Sequence, residues 1–323
     1  MKNYFDFTLD PKKFLPFWLM FLVGAIAPYI YFIINMKQHQ PHEPMGTLTF
    51  VAIVLMIVVA IVIYYFFLKL YIESLKYKEQ NIKFDGSFGT YIGKMVLGIF
   101  LSIITLGIYS PWFQKNLTDF YAENSSFNST NFKFSGKGLK LFWIMTLSFI
   151  LPIIAITLIF TIYYDKMLGE TPPFGLIQII IYLFIIPFYY LRYKWFFDID
   201  YKEYHISWET TFWNSCGKIL LELFLSVVTL GIYAPLAYVK LYKYFVDKTV
   251  AVSPDAKLKF GFDIEALDDF LFLWGQGLLC IITLTIYTPW ATSKIGKRFL
   301  MKTYLENIES VEVTEPIEIP AES

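Results

Sequence analysis

Read for groups that could react, the chain offers one stripe of residues. Three apolar runs, each aligned on a threonine, place Gly98, Ser102 and Thr105 opposite Glu222, Ser226 and Thr229, and opposite Gln276, Cys280 and Thr283. The spacing i, i+4, i+7 puts each trio on one helical face. Small and polar residues on one face of a membrane helix are what close packing and interhelical hydrogen bonds require, and that is the simpler expectation. The chemical alternative is a polar path for a solute, ion or lipid, lined by Glu222, Ser226, Thr229, Ser102, Thr105, Gln276 and Thr283. Glu222 is its one ionisable group, and a charge near the middle of a bilayer costs at least ~2.5 to 3.5 kcal/mol on insertion scales. Lys218 stands one turn earlier, so an i, i+4 ion pair can offset that cost.

Other reactive groups are sparse. His39, His42 and Glu43 supply three ligands around a proline, one short of a tetrahedral zinc site, so a solvated loop is expected there. Asp165 and Glu170 flank a second lightly charged loop as boundary charges. Asp268 and Asp269 open an apolar run, where acids favour a helix N-terminus. Cys216 and Cys280 lie inside apolar runs with no CxxC pair and read as buried free thiols. There is no H-E-x-x-H, no G-x-S-x-G, no Walker loop and no Rossmann glycine fingerprint. No set of acid, base, nucleophile or metal ligands assembles from what remains. The expectation is a protein that is not an enzyme and uses no cofactor or metal.

The elements that must position the stripe are membrane elements. Of the 323 residues 56% are hydrophobic and 20% aromatic, and the mean hydropathy is +0.51. Such values lie far from soluble averages. A span needs about 20 apolar residues, and four runs qualify: Phe14 to Asn35, Thr47 to Leu68, Leu141 to Tyr164 and Phe174 to Leu191. The first continues past its Ala25-Ile-Ala27 pseudo-cleavage site into Pro28, and so reads as a retained helix rather than a signal peptide.

Three further runs each end in one phrase. These are Thr105-Leu-Gly107-Ile-Tyr109-Ser-Pro111-Trp112, Thr229-Leu-Gly231-Ile-Tyr233-Ala-Pro235-Leu236 and Thr283-Leu-Thr-Ile-Tyr287-Thr-Pro289-Trp290. Proline and glycine there break or turn a helix. If all seven runs crossed, Lys-rich segments would fall on both faces. If the phrase runs enter and leave on one side, as re-entrant or short helices, every Lys-rich segment is cytoplasmic together with both termini.

Short alternating pieces precede the phrases: Ile82 to Gly86, Ile206 to Trp208 and Leu258 to Phe262. A fourth, Phe132 to Gly136, precedes the Leu141 span. They suggest short cytoplasmic strands. Phe84, Trp208 and Phe262 each stand 21 residues before their threonine, which suggests a duplicated unit. After each phrase comes an amphipathic stretch in which Phe113, Leu117 and Phe120, or Leu241 and Phe245, or Ile295 and Phe299, oppose lysines. Such helices lie at a headgroup surface.

The TLGIY phrase with its Pro-Trp, the preceding F-x-G piece and the multiple spans resemble the YjgN-like inner-membrane proteins, a family of unknown function. The likeness covers about Ile82 to Lys302. The chain departs from the pattern at Leu236, where Trp is missing, and at Thr285, where Gly is missing. The resemblance implies a bacterial inner membrane and brings no activity or site residue.

The expected fold is therefore an all-α polytopic membrane protein with four full spans and three phrase helices. A two-helix hairpin (1–80) precedes a first repeat unit (81–200), a second with two phrase helices (201–305) and an acidic, disordered tail (306–323). Membrane lipids are the expected partner, with a membrane-protein partner or a homo-oligomer as alternatives; nucleic acid is not expected. A polar path lined by the phrase helices favours transport, and the rival is a scaffold that binds a partner without transporting.

Overall fold

The computed structural model describes residues 2–38, 46–166 and 174–310. The chain runs β1 (Asn3–Phe7), α1 (Pro11–Phe21), a π-helical segment Leu22–Ile26, α2 (Ala27–Gln38), α3 (Thr47–Ser74), β2 (Leu75–Tyr77), β3 (Gln80–Asn81) and β4 (Lys83–Phe84). It continues with α4 (Phe88–Ile104), α5 (Ser110–Glu123), β5 (Ser125–Phe127), β6 (Thr130–Phe134), α6 (Gly138–Met145), a second π-helical segment Thr146–Ile150, α7 (Leu151–Lys166) and α8 (Phe174–Phe196). Then follow β7 (Ile199–Tyr201), β8 (Tyr204–Trp208), α9 (Phe212–Val228), α10 (Ala234–Val246), β9 (Thr249–Val252), β10 (Ala256–Phe262), α11 (Ala266–Ile282), α12 (Thr288–Met301) and β11 (Thr303–Ser310).

One construction recurs along this order. A strand leads into a helical excursion, the chain returns in another strand, and a tight turn leads to the next strand. The turn residues Lys78 and Glu79, and Asn128 and Ser129, all have positive φ, as two-residue hairpins of the type I′ kind require. Within each such step the helices leave from one end of the strands, and a tight turn closes the other.

Contacts divide the chain into two units. The first comprises Tyr4–Asn131 and Glu265–Lys302. Within it β1 pairs with β2 and β2 with β3, and β4 pairs with β5, all antiparallel. Its core gathers where helices meet strands: Tyr65, Phe84, Tyr91 and Phe120 form one buried cluster, and Phe7, Leu9 and Phe14 a second. The F-x-G piece is explained here. The Phe84 ring folds back over Gly86, where an added Cβ would meet its Cζ at 2.5 Å, and Tyr65 Oη donates to the Gly86 carbonyl at 2.6 Å.

The second unit comprises Met1–Asn3, Phe132–Ile264 and Thr303–Ser323. Its ladder runs β6-β7-β8-β9-β10-β11, antiparallel throughout. Phe134 packs edge-on to Trp195 at 4.8 Å. Trp208 is sandwiched between Phe197 and Phe245 at 4.6 and 4.4 Å. Gly136 repeats the role of Gly86, with Phe134 over it.

The all-α, four-span expectation is corrected on two counts. Eleven strands, paired antiparallel, occur among the described residues, far more than the four short pieces expected from alternation. Most are two to five residues long, too short for a period of two to be legible. Three helical stretches among the described residues, Pro11–Ile34, Thr47–Ser74 and Gly138–Ile162, are long and apolar enough to cross a membrane. The fourth expected run falls on α8. Most of its side chains before Leu183 lie outside the described residues; its last turns reach the strand-bearing end, where Lys194 Nζ donates to the Thr210 carbonyl at 2.8 Å and Tyr190 Oη bonds Thr210 Oγ1 at 2.8 Å. Only 6%, 11% and 6% of the three apolar windows is buried, so their faces suit a surrounding apolar medium. Residues 306–310, at the head of the acidic stretch, end β11; residues 311–323 lie outside the described residues.

Candidate functional site

Each phrase is the turn of a helical hairpin: α4–α5, α9–α10 and α11–α12. The threonine hydroxyl donates to the carbonyl four residues earlier and accepts the tyrosine amide of the next helix. The two distances are 2.8 and 3.0 Å for Thr105, 2.8 and 3.0 Å for Thr229, and 2.7 and 3.1 Å for Thr283. Gly107, Gly231 and Thr285 each donate an amide to the carbonyl five residues back, at 2.7 Å in all three. This is a Schellman-type helix end. It requires left-handed backbone at Leu106, Leu230 and Leu284 (φ 48 to 50) and again at Gly107 (φ 89), Gly231 (φ 86) and Thr285 (φ 69). Pro111, Pro235 and Pro289 then open the second helix, where a missing N–H costs nothing. A phrase expected to break or turn its helix is therefore a reversal built from ordinary helix signals in sequence.

Between the helices of two of the hairpins the phrase tyrosine reaches back to the stripe. In α9–α10 the Tyr233 hydroxyl donates to Glu222 Oε2 at 2.7 Å and accepts from Lys240 Nζ at 2.9 Å, while Lys218 Nζ donates to Glu222 Oε1 at 2.6 Å. Glu222 is only 1% exposed, and both its oxygens are satisfied. In α11–α12 the Tyr287 hydroxyl donates to Gln276 Oε1 at 3.1 Å and accepts from Lys294 Nζ at 2.9 Å. In α4–α5 Gly98 offers no side chain and the Phe113 ring occupies the space, 1.9 Å from where a Cβ would stand. Asn116 Nδ2 there donates to Tyr109 Oη at 3.1 Å.

The structure thus brings each trio together with its own tyrosine, inside its own hairpin. Ser226 Oγ donates to the Glu222 carbonyl at 2.8 Å. Ser102 Oγ is buried with no partner among the described residues. Cys280 Sγ lies 4.0 Å from Thr288 Oγ1. Trp112 and Trp290 stack on Tyr109 and Tyr287 at 6.5 and 6.1 Å; Leu236 has no ring to do so.

Two polar groupings were not anticipated in detail. Asp269 is fully buried and accepts from Arg298 Nε at 2.7 Å, Lys302 Nζ at 2.6 Å and the Glu265 amide at 3.0 Å. Burial alone would raise its carboxyl; the bonds from Lys302, Arg298 and Glu265 outweigh it and hold the group below the ordinary value of 3.8. The spacing of Asp269 from Arg298 gave no local signal. In the β7–β8 hairpin, His205 Nδ1 lies 2.7 Å from Asp200 Oδ1 and Nε2 lies 3.4 Å from Asp198, and Ser135 Oγ donates to Asp200. Burial opposes ionisation of Asp200 too, and the Ser135 and His205 bonds pull its carboxyl down. No group of three or more metal-ligating side chains occurs among the described residues. His39, His42, Glu43 and Glu170 lie outside those residues, as does the side chain of Asp165.

Fold and hairpins define a mixed protein of helices and short antiparallel strands, with three apolar helices compatible with membrane association. The chain belongs to a family of bacterial proteins of unknown function, DUF898, whose model matches residues 2–260, the family that the YjgN-like resemblance names. No curated protein and no solved structure matches the chain.

Proposed function

We propose that this is an inner-membrane scaffold that acts through its contact with lipid: apolar helices anchor it, and the three phrase hairpins dip part-way into the bilayer from the cytoplasmic side. One observation carries the reading. The residues at the hairpin tips, Leu106, Leu230 and Leu284, are 92%, 93% and 82% exposed. Their first helices have 17 residues, about 25 Å at 1.5 Å per residue, short of a hydrocarbon core of roughly 30 Å. Both legs of a hairpin return to strands. Water disfavours such tips, and lipid solvates them. The stripe supports the scaffold over a transport path, because most of its polar groups are engaged within their own hairpins. Duplication of the strand-and-hairpin unit fits three hairpins of one design.

Cysteine accessibility tests this reading. Lys78→Cys and Asn128→Cys, on the turns before and after α4–α5, are placed singly in a Cys216→Ser, Cys280→Ser background. Both should react with a membrane-impermeant maleimide only after the cytoplasmic face is opened. Labelling of one of them in intact cells would make α4–α5 cross the membrane and end the re-entrant reading. A second reading, proton or ion handling, rests on the buried Glu222 between Lys218 and Tyr233; it requires Glu222→Gln to abolish a flux in proteoliposomes that insert the variant normally.

A further inference from the structure

In the second unit, three cations without an ion-pair partner among the described residues gather where β6 enters α6 and α8 enters β7: Lys137, Lys140 and Arg192. The indole N–H of Trp195 donates to the Lys137 carbonyl at 3.0 Å and ties the two helix ends together. Arg192 stands three residues before Trp195, and Lys140 three after Lys137. Each therefore lies about one turn, roughly 5 Å, along its helix from that bond.

Along each helix, away from the strands, the exposed side chains change in character. Trp143 and Tyr189 come next, half-exposed, with Tyr189 stacked on Tyr193 at 6.4 Å. Deeper along the same helices the exposed residues carry no polar tip, Leu147, Leu183 and Phe184 among them. A cation, then Trp or Tyr, then side chains without a polar tip follow a membrane leaflet met from water: phosphate, then the interface that Trp and Tyr prefer, then hydrocarbon. An acidic side chain close to these cations would serve a purely solvated face equally well. The nearest acid along either helix is Asp198, which is turned to His205 instead.

We infer that this face is a docking surface for anionic phospholipid, with Lys137, Lys140 and Arg192 holding the headgroup phosphate and Trp143 and Tyr189 seating the glycerol region. The inference rests on the membrane-embedded reading and adds to it a headgroup preference and an address. The full chain, delipidated in a neutral detergent, is titrated with phosphatidylglycerol or phosphatidylcholine, and bound lipid is counted by native mass spectrometry. Phosphatidylglycerol should bind more tightly. Its advantage should fall roughly fivefold for each cation neutralised, and on the order of a hundredfold in Lys137→Gln/Lys140→Gln/Arg192→Gln. The charge-retaining Lys140→Arg should keep it, which separates charge from folding.

Equal binding of the two lipids by the wild type would overturn the inference while leaving membrane embedding intact. A triple variant that retains the preference would overturn the address. Inorganic phosphate that displaces the lipid at equal concentration would overturn it as well, since a lipid surface requires the chains. Failure of the wild type to enter vesicles of phosphatidylcholine or of an equimolar mixture with phosphatidylglycerol would instead sink the membrane-embedded reading itself.

Discussion

Hairpins α9–α10 and α11–α12 fold one phrase into one turn and fill the space between their legs differently. In α9–α10 the tyrosine sits in a charged chain, Lys218, Glu222, Tyr233 and Lys240. In α11–α12 Gln276 stands where the carboxylate was, and Lys294 keeps only the tyrosine hydroxyl and its ring face, 5.6 Å away. The α4–α5 hairpin dispenses with the stripe side chain altogether and packs Phe113 there. Three solutions inside one turn teach that the turn does not depend on what lies between the legs. The interior is where each hairpin was free to diverge, and Glu222 is a variant of a structural slot before it is a candidate for ion chemistry.

The largest test is to break the charged slot. Glu222→Leu leaves Lys218 and Lys240 without their carboxylate and should cost about 3 kcal/mol in detergent-solubilised unfolding, at the low end for a severed buried pair because Lys218 keeps some solvent. Glu222→Gln copies Gln276 and should retain most of that stability. Equal losses from both would mean the slot in α9–α10 requires a charge.

Gly98→Ala should come next. The Cβ meets Phe113 and forces overpacking, at about 2 kcal/mol, and adding Phe113→Ala should recover much of the loss. If the double variant is no better than the single one, the ring is not what fills the slot.

Acid separates the hairpins at their bases. The carboxyl of Asp269 is depressed in the folded chain, so its contribution is fully present above its unfolded value, near 3.9, and is lost as pH falls through the still lower folded value. Asp269→Asn should flatten that part of a stability-versus-pH curve measured below about pH 4. An unchanged acid limb would assign the loss to other carboxylates. The smallest effect concerns the turn: Thr285→Gly should stabilise by about 1 kcal/mol, because a β-branched residue there holds a left-handed backbone that Gly107 and Gly231 adopt freely. A loss of stability would show that the Thr285 side chain contributes more than its strain.

Local chemistry was legible wherever a residue acts on its neighbours along the chain. The proline of each phrase and the glycine of two of them announced a break, and the stripe at i, i+4, i+7 announced one helical face. The Lys218–Glu222 pair could be read from its spacing, and it forms. What stayed hidden depends on residues distant in sequence. Asp269 gives no sign of Arg298 or Lys302, nor Asp200 of Ser135. Strands of two or three residues carry too little alternation to be read, and Lys78-Glu79 is not a turn pair whose preference for positive φ marks a hairpin.

By itself the amino-acid sequence determined the apolar helices, the three reversals and the excess of lysine beside them, because hydropathy, capping and proline geometry act within a few residues. Only the tertiary structure decided that those reversals close hairpins between strands, that the stripe turns inward to tyrosine, and that the chain is not all-α. Each of these depends on backbone groups pairing across long separations, where the entropy of closing the loops and the partners available are properties of the whole chain.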